Sequence, residues 1–128
     1  MNKSASAHWQ GSLKEGKGTI STESGALKAN PYGFNTRIGA AHAGCFSMAF
    51  SMLLGEAGYT PDSIDTKAVV TLTKQDDGFA VTAVALTMSA TIPGIDQKEF
   101  DEIAGKAKSG CPISKLLKAD ISLDAKLG

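Results

Sequence analysis

Positions 38 to 57 read IGAAHAGCFSMAFSMLLGEA, and this stretch decides the fold. At about 100° per residue, Phe46, Phe50, Leu53 and Leu54 crowd one side of a helix. Ala40, Gly44, Ser47 and Ser51 fall together on another, at steps of four, three and four. Gly58 and then Pro61 supply the stop signal. A stripe of small side chains lets a second backbone approach closely, so the helix is expected to be buried nearly all round. Its small stripe would pack against a second helix, such as its symmetry mate in a dimer, or against the chain's own sheet. His42, Ser47 and Ser51 interrupt the apolar run, which makes it too short and too mixed for a membrane span.

Upstream, the pattern changes to short strands. Ala7, Trp9, Gly11 and Leu13 share one face of a strand over 5–13, with a turn at Lys14-Glu15-Gly16-Lys17-Gly18. Thr19–Thr22 is a β-branched strand, Glu23-Ser24-Gly25 a turn, and Ala26–Ala29 a third short strand before the loop chemistry of Asn30-Pro31-Tyr32-Gly33. Downstream, Asp65–Thr73 and Phe79–Thr91 read as paired strands around Lys74-Gln75-Asp76-Asp77-Gly78. Asp96 with Glu99 three residues on is a capping-box pattern for a helix to about Ser109. Pro112 suits the first turn of a short helix over 112–117. Ile121, Leu123, Ala125 and Leu127 alternate as a half-buried strand. The order βββ-α-ββ-α-α-β is an α+β pattern.

The chain's 128 residues predict one domain over 1–128. Thirteen basic and thirteen acidic residues balance to zero net charge, which argues against nucleic acid and anionic membranes as partners. The N-terminal stretch MNKSASAHWQGSLKEG has no apolar core, so no signal peptide is read and the cytoplasm is the default compartment. Two cysteines in that compartment point to reduced, metal-binding or redox-active thiols. With two histidines and no Cys-x-x-Cys or His-x-x-x-His spacing, a metal site is disfavoured.

A reactive thiol needs a cation, a hydrogen-bond donor or a helix N-terminus to lower its pKa. Cys111 has such a context, directly before Pro112 at the start of the short helix. Cys45 lies two turns inside the long helix, on a face shared with Ala41, Met48, Ala49 and Met52. An apolar wall raises a thiol pKa, so Cys45 would need a cation from elsewhere, and Arg37 is the local candidate. His42, one turn before Cys45, reads as a capping or packing residue more readily than as a base. On the residues alone, Cys45 reads as an ordinary buried cysteine, Cys111 is open between structural and reactive, and Arg37 reads as a solvated loop cation.

Ala40-Ala41-His42-Ala43-Gly44-Cys45-Phe46-Ser47-Met48-Ala49 resembles the helix signature of the osmotically inducible protein C (OsmC) family of peroxidases. So does Cys111-Pro112-Ile113-Ser114-Lys115, with Lys106-Ala107-Lys108-Ser109-Gly110 before it. Supporting pieces run in family order along nearly the whole chain: Ala7-His8-Trp9-Gln10-Gly11, Gly16-Lys17-Gly18, Ser21-Thr22-Glu23-Ser24-Gly25, Pro31-Tyr32-Gly33-Phe34-Asn35-Thr36-Arg37 and Ile92-Pro93-Gly94-Ile95-Asp96. The resemblance implies antiparallel sheets wrapped around long central helices in an intertwined homodimer, with active sites at the subunit interface. It implies a peroxidatic Cys45, a resolving Cys111 and an Arg37 that stabilises the thiolate and the transition state. Organic hydroperoxides or hydrogen peroxide would be reduced through a Cys45 sulfenic acid and a Cys45–Cys111 disulfide. No bound cofactor is implied, only an external dithiol such as a lipoylated protein.

Between Arg37 and Ile38 the family normally carries about a dozen residues, which hold an active-site glutamate, a helix N-cap and a first-turn proline. Nothing corresponds to them here, and Thr36-Arg37-Ile38 offers a long helix no acidic first turn. A mobile loop is expected in preference to a true deletion, because losing a cap and a catalytic partner together would be costly. Two rival functions remain: a non-catalytic binder of hydrophobic small molecules and a thiol redox sensor.

Overall fold

The computed structural model describes residues 2–12, 15–33 and 36–128. Leu13 and Lys14, at the expected end of the first strand and start of its turn, and Phe34 and Asn35, in the stretch before Arg37, lie outside the described residues. The chain divides into two compact units, residues 1–37 and 38–128.

The first unit is an antiparallel sheet of β1 (Ala5–Gln10), β2 (Lys17–Thr22) and β3 (Asn30–Tyr32), in that order. Trp9 and Tyr32 meet with ring centroids 5.7 Å apart, and Gly18 of β2 lies between them. A Cβ at Gly18 would fall 2.5 Å from the Tyr32 ring and 2.8 Å from the Trp9 ring, so only glycine fits. The third strand is not at Ala26–Ala29, where the sequence predicted it. Ala29 has φ of 52°, a left-handed conformation that breaks the 26–29 segment. The strand forms one step later, through Pro31, which an edge strand tolerates because its missing N–H has no ladder partner to serve.

The second unit contains nearly all of α1 (Arg37–Glu56), then β4 (Ser63–Gln75), β5 (Gly78–Thr91), α2 (Gln97–Gly110), α3 (Pro112–Leu116) and β6 (Asp120–Leu127). The α+β order is as the sequence predicts. Helix α1 runs unbroken through Arg37–Ile38, with no acidic residue in its first turn. It closes at Gly58 (φ 89°), where Tyr59 N–H donates to the Leu54 carbonyl at 2.8 Å and Gly58 N–H to the Gly55 carbonyl at 3.1 Å. These paired bonds satisfy carbonyls that a helix end leaves open. Asp96 caps α2 by accepting the Glu99 N–H at 2.9 Å.

The second sheet has the order β4-β5-β6. β4 and β5 form the expected antiparallel hairpin, with a bulge at Thr71/Leu72. β6, however, joins β5 in parallel, so the sheet is mixed and the expectation of purely antiparallel sheets is corrected. A parallel neighbour needs a long crossover, and α2 with α3 provides it. The register puts Ile121, Leu123, Ala125 and Leu127 beside Val84, Leu86, Met88 and Ala90, so the apolar faces of both strands coincide. Phe46, Phe50 and Leu54 of α1 and Phe100, Ile103, Ala104 and Ala107 of α2 complete the core on that face. Phe50 stacks on Phe46 at 6.1 Å and meets the Phe100 edge at 5.7 Å.

Helix α1 is buried on one side only in the single chain, against the expectation that it would be covered nearly all round. Its buried residues are His42, Phe46, Phe50 and Leu54, a strict four-residue repeat. Of the small stripe, Ser47 is half-buried and lies 2.7 Å from Thr66 of β4, whereas Ala40, Gly44 and Ser51 are exposed. By length and composition α1 could cross a membrane. Its Phe46, Phe50 and Leu54 are instead packed into the core, as in the core helix of a globular unit.

Candidate active site

Two three-residue spacings build the site. On α1, His42 and Cys45 stand one turn apart; at the joint of α2 and α3, Cys111 and Ser114 do the same. Cys111 is at once the C-cap of α2 and the N-cap of α3, with φ −57° and ψ 127°. Its N–H donates to the Ala107 carbonyl at 2.9 Å, and its carbonyl accepts from Lys115 N–H at 3.0 Å. This double role fixes the sulfur at a rigid corner, with its side chain fully buried.

The two pairs face one another. His42 Nε2 lies 2.8 Å from Ser114 Oγ, the hydrogen bond that ties α3 to α1. Beside it, the Cys45 and Cys111 thiols interact directly, and both cysteines are free. The long helix and the corner are 66 positions apart at these residues (111 − 45), yet they share one cluster.

The two sulfurs are not equivalent. Burial works to raise the Cys111 thiol, but it is outweighed by the Cys45 thiol, the Ser114 and Ile113 N–H groups and the Ser114 hydroxyl, so its pKa falls. The backbone contributions come from the N–H dipoles of the first turn of α3, without a conventional capping hydrogen bond. Cys45 goes the other way. Burial raises it first, the hydrogen bond to Cys111 raises it further, and the Ile113 N–H opposes both in part. Such a pair shares its protons, and its ionisation belongs to the dyad. Its first thiolate resides mainly on Cys111. The local context of Cys111 in the sequence already pointed that way, as did the apolar wall around Cys45.

Access runs in the opposite direction. Cys45 is half-buried and Cys111 fully buried. One and two turns beyond Cys45 on the same helix, Met48 is 76% exposed and Met52 60% exposed. Arg37 is the first residue of α1 and belongs to the N-terminal unit.

His42 is the residue that sequence reasoning undervalued. It is wholly buried, burial lowers its pKa, and its Nδ1 has no hydrogen-bond partner among the described residues. A signal for it was present: His42-x-x-Cys45 and Cys111-x-x-Ser114 have the same spacing, which places each pair on one helical face.

Residues 37–126 match the family described as OsmC-like protein. The chain is 56% identical over 139 residues to Peroxiredoxin OsmC of Escherichia coli (strain K12), covering 99% of this chain and 97% of that one. Peroxiredoxin OsmC of Shigella flexneri matches to the same extent. An alignment of 139 positions against a 128-residue chain leaves at least 11 residues of these relatives without a counterpart here (139 − 128). Among solved structures, an OsmC-like protein of unknown function from Vibrio cholerae superposes with a TM-score of 0.75 at 18% identity, covering 98% of this chain and 99% of that one. An organic hydroperoxide resistance protein OsmC from Legionella pneumophila gives 0.68 at 21% identity, covering 100% and 98%. At such identities the structures speak for the fold, and the family profile with the near full-length sequence relatives speaks for descent. The chain belongs to the OsmC-like family.

Proposed function

We propose that this protein is a thiol-dependent peroxidase that reduces organic hydroperoxides, and hydrogen peroxide, through Cys45 and Cys111. One observation carries the reading: Cys45 of α1 and Cys111 at the α2–α3 corner, 66 positions apart in sequence (111 − 45), bring their free thiols together, one half-buried and the other fully buried. The name Peroxiredoxin OsmC borne by relatives at 56% identity supports the same class of reaction.

Access assigns the roles. A peroxide can reach half-buried Cys45 and cannot meet fully buried Cys111 first. In the reactive form of the dyad the shared proton lies on Cys111 and the charge on Cys45. The Cys45 thiolate attacks the terminal oxygen of ROOH, the O–O bond breaks, and Cys45 becomes a sulfenic acid. The departing alkoxide takes the proton from Cys111, leaving as ROH. Cys111 is then a thiolate beside the sulfenic acid; it attacks that sulfur and expels hydroxide, which takes a proton from solvent and leaves as water. An external dithiol, such as a lipoylated protein, reopens the disulfide by exchange. No bound cofactor enters the cycle.

Arg37 would stabilise the Cys45 thiolate and the charge growing on the leaving oxygen, a role taken from the family resemblance. Its carboxylate partner would come from the stretch that relatives carry and this chain lacks. The proposed working form is a homodimer. The exposed side of α1, with Ala40, Gly44, Met48, Ser51 and Met52, supports this, because a Cβ placed on Gly44 would meet nothing within 4 Å. The same methionines favour an apolar R group. A dithiol-dependent cycle suits the reducing cytoplasm.

A coupled assay tests the proposal, with cumene hydroperoxide or hydrogen peroxide as oxidant and dihydrolipoamide as reductant. Multiple turnovers that Cys45→Ser abolishes are expected. Equal peroxide consumption by that variant would refute the reading.

A further inference from the structure

We infer that Ser114, oriented by His42, makes Cys111 the leaving sulfur when the Cys45–Cys111 disulfide is reopened, so that the incoming reductant bonds to Cys45. The inference rests on the disulfide of the preceding proposal and adds the direction in which it is cleaved.

Ser114 Oγ lies 2.8 Å from His42 Nε2, and Ser114 stands one turn from Cys111, where its hydroxyl is the least of the groups that lower the thiol's pKa; a hydroxyl carries one proton. If Ser114 gave that proton to His42, none would remain for Cys111. A charged acceptor forms the stronger hydrogen bond, so the Ser114 proton belongs on the Cys111 thiolate. His42 must then hold its own proton on Nε2 and donate it to Ser114 Oγ. That tautomer leaves Nδ1 as a bare acceptor, in keeping with its burial without a partner among the described residues. The other tautomer would bury an unpartnered N–H there, a donor that folded proteins rarely leave orphaned. The chain of donation runs His42 Nε2–H to Ser114 Oγ, then Ser114 Oγ–H to Cys111 Sγ.

Thiol–disulfide exchange favours attack on the accessible sulfur and departure of the more stable thiolate. Both preferences select the same outcome here. Cys45 is half-buried, whereas Cys111 is fully buried beneath the α2–α3 corner, with the Ile113 and Ser114 N–H groups and the Ser114 hydroxyl around it. The reductant thiolate RS⁻ bonds to Cys45 Sγ, the Sγ–Sγ bond breaks, and Cys111 leaves as a thiolate. The product is a Cys45–S–S–R mixed disulfide. The second thiol of a dithiol then attacks the R sulfur, releasing the Cys45 thiolate and a cyclic disulfide. His42 touches neither sulfur in this scheme; it is a positioning residue.

The test uses the full chain, oxidised with diamide so that disulfide formation does not depend on peroxide chemistry. Glutathione, a monothiol that completes the cycle only through a second molecule, is added in limiting amount and quenched early with acid. Free thiols are then capped with N-ethylmaleimide and the peptides are mapped by mass. Glutathione on Cys45 and the maleimide on Cys111 are expected in large excess. Glutathione on Cys111 in equal or greater amount would overturn the inference, as would failure of diamide to join the two cysteines. Ser114→Ala should slow reopening about three- to tenfold and erode the site preference, because a hydrogen bond to the leaving thiolate is lost. Ser114→Thr keeps the hydroxyl and should stay near the wild type. His42→Gln keeps a donor toward Ser114 and should do the same, whereas His42→Leu should resemble Ser114→Ala. If His42→Leu does not fold, the Ser114 pair still decides the matter, since equal behaviour of Ala and Thr contradicts the assignment. Replacing diamide by peroxide separates the two proposals. A protein that opens at Cys45 after diamide yet resists oxidation by peroxide would keep this inference and lose the peroxidase function.

Discussion

Cys45 and Cys111 differ from two isolated thiols because, beside the effect of burial, each shifts the ionisation of the other. Cys111 is pushed down and Cys45 up, so the first thiolate per chain forms below the ordinary cysteine range and the second above it. The rate of alkylation by iodoacetamide should therefore rise with pH in two steps that bracket that range. A single step at the ordinary value would show that the thiols do not interact. With peroxide, Cys111→Ser should consume about one equivalent and stall with Cys45 as a sulfenic acid, measurable by a dimedone adduct. Sustained turnover in that variant would remove Cys111 from the cycle. His42 shows why a sequence reading stops short at this scale. Its position continues the Phe46, Phe50, Leu54 repeat, so periodicity sees only another core residue. Its partner Ser114 lies 72 positions away, and only the folded α3 brings the two together.

At the scale of elements, α1 carries both core residues and Cys45, the proposed nucleophile. Phe50 is fully buried between Phe46 and Phe100, and Phe50→Ala should cost about 3–5 kcal/mol in a denaturation experiment. A loss below about 1 kcal/mol would mean that this aromatic cluster is dispensable. The free side of the same helix behaves differently. A Cβ at Gly44 would meet nothing within 4 Å, and leucine is the better helix former by nearly 1 kcal/mol, so Gly44→Leu should be tolerated within its own unit. The variant should fold well as a monomer and fail to dimerise, as sedimentation would show; a dimer unaffected by it would place the interface elsewhere. The helices were legible because caps and apolar repeats are local: Asp96 caps α2 and Gly58 ends α1 as read, although the Glu99 carboxylate accepts from the Tyr59 hydroxyl at 2.7 Å in place of closing a capping box. Strand pairing was less so. Alternation identifies β6 as half-buried, but nothing local says that it runs parallel to β5. The third strand was expected over Ala26–Ala29, but the left-handed Ala29 ends that segment and the strand forms at Asn30–Tyr32.

For the molecule as a whole, the sequence carried the family through two motifs, around Cys45 and around Cys111, that each form one side of the site. What it could not carry is the assembly, because an exposed apolar helix face identifies a need for cover without naming what provides it. Nor does it replace the residues that relatives have in excess, at least 11 of them. If these supply the carboxylate that holds Arg37, inserting the relatives' stretch after position 37 should raise the peroxide rate constant without moving the Cys45–Cys111 pair. The most direct measurement is simpler. Protein titrated with cumene hydroperoxide under anaerobic conditions is analysed by intact mass and peptide mapping, then returned to dihydrolipoamide. The account requires one equivalent of peroxide to join Cys45 to Cys111 with loss of two hydrogens, fully reversed by the dithiol. Two thiols that stay free while peroxide persists, or a sulfenic acid on Cys45 that never reaches Cys111, would contradict it.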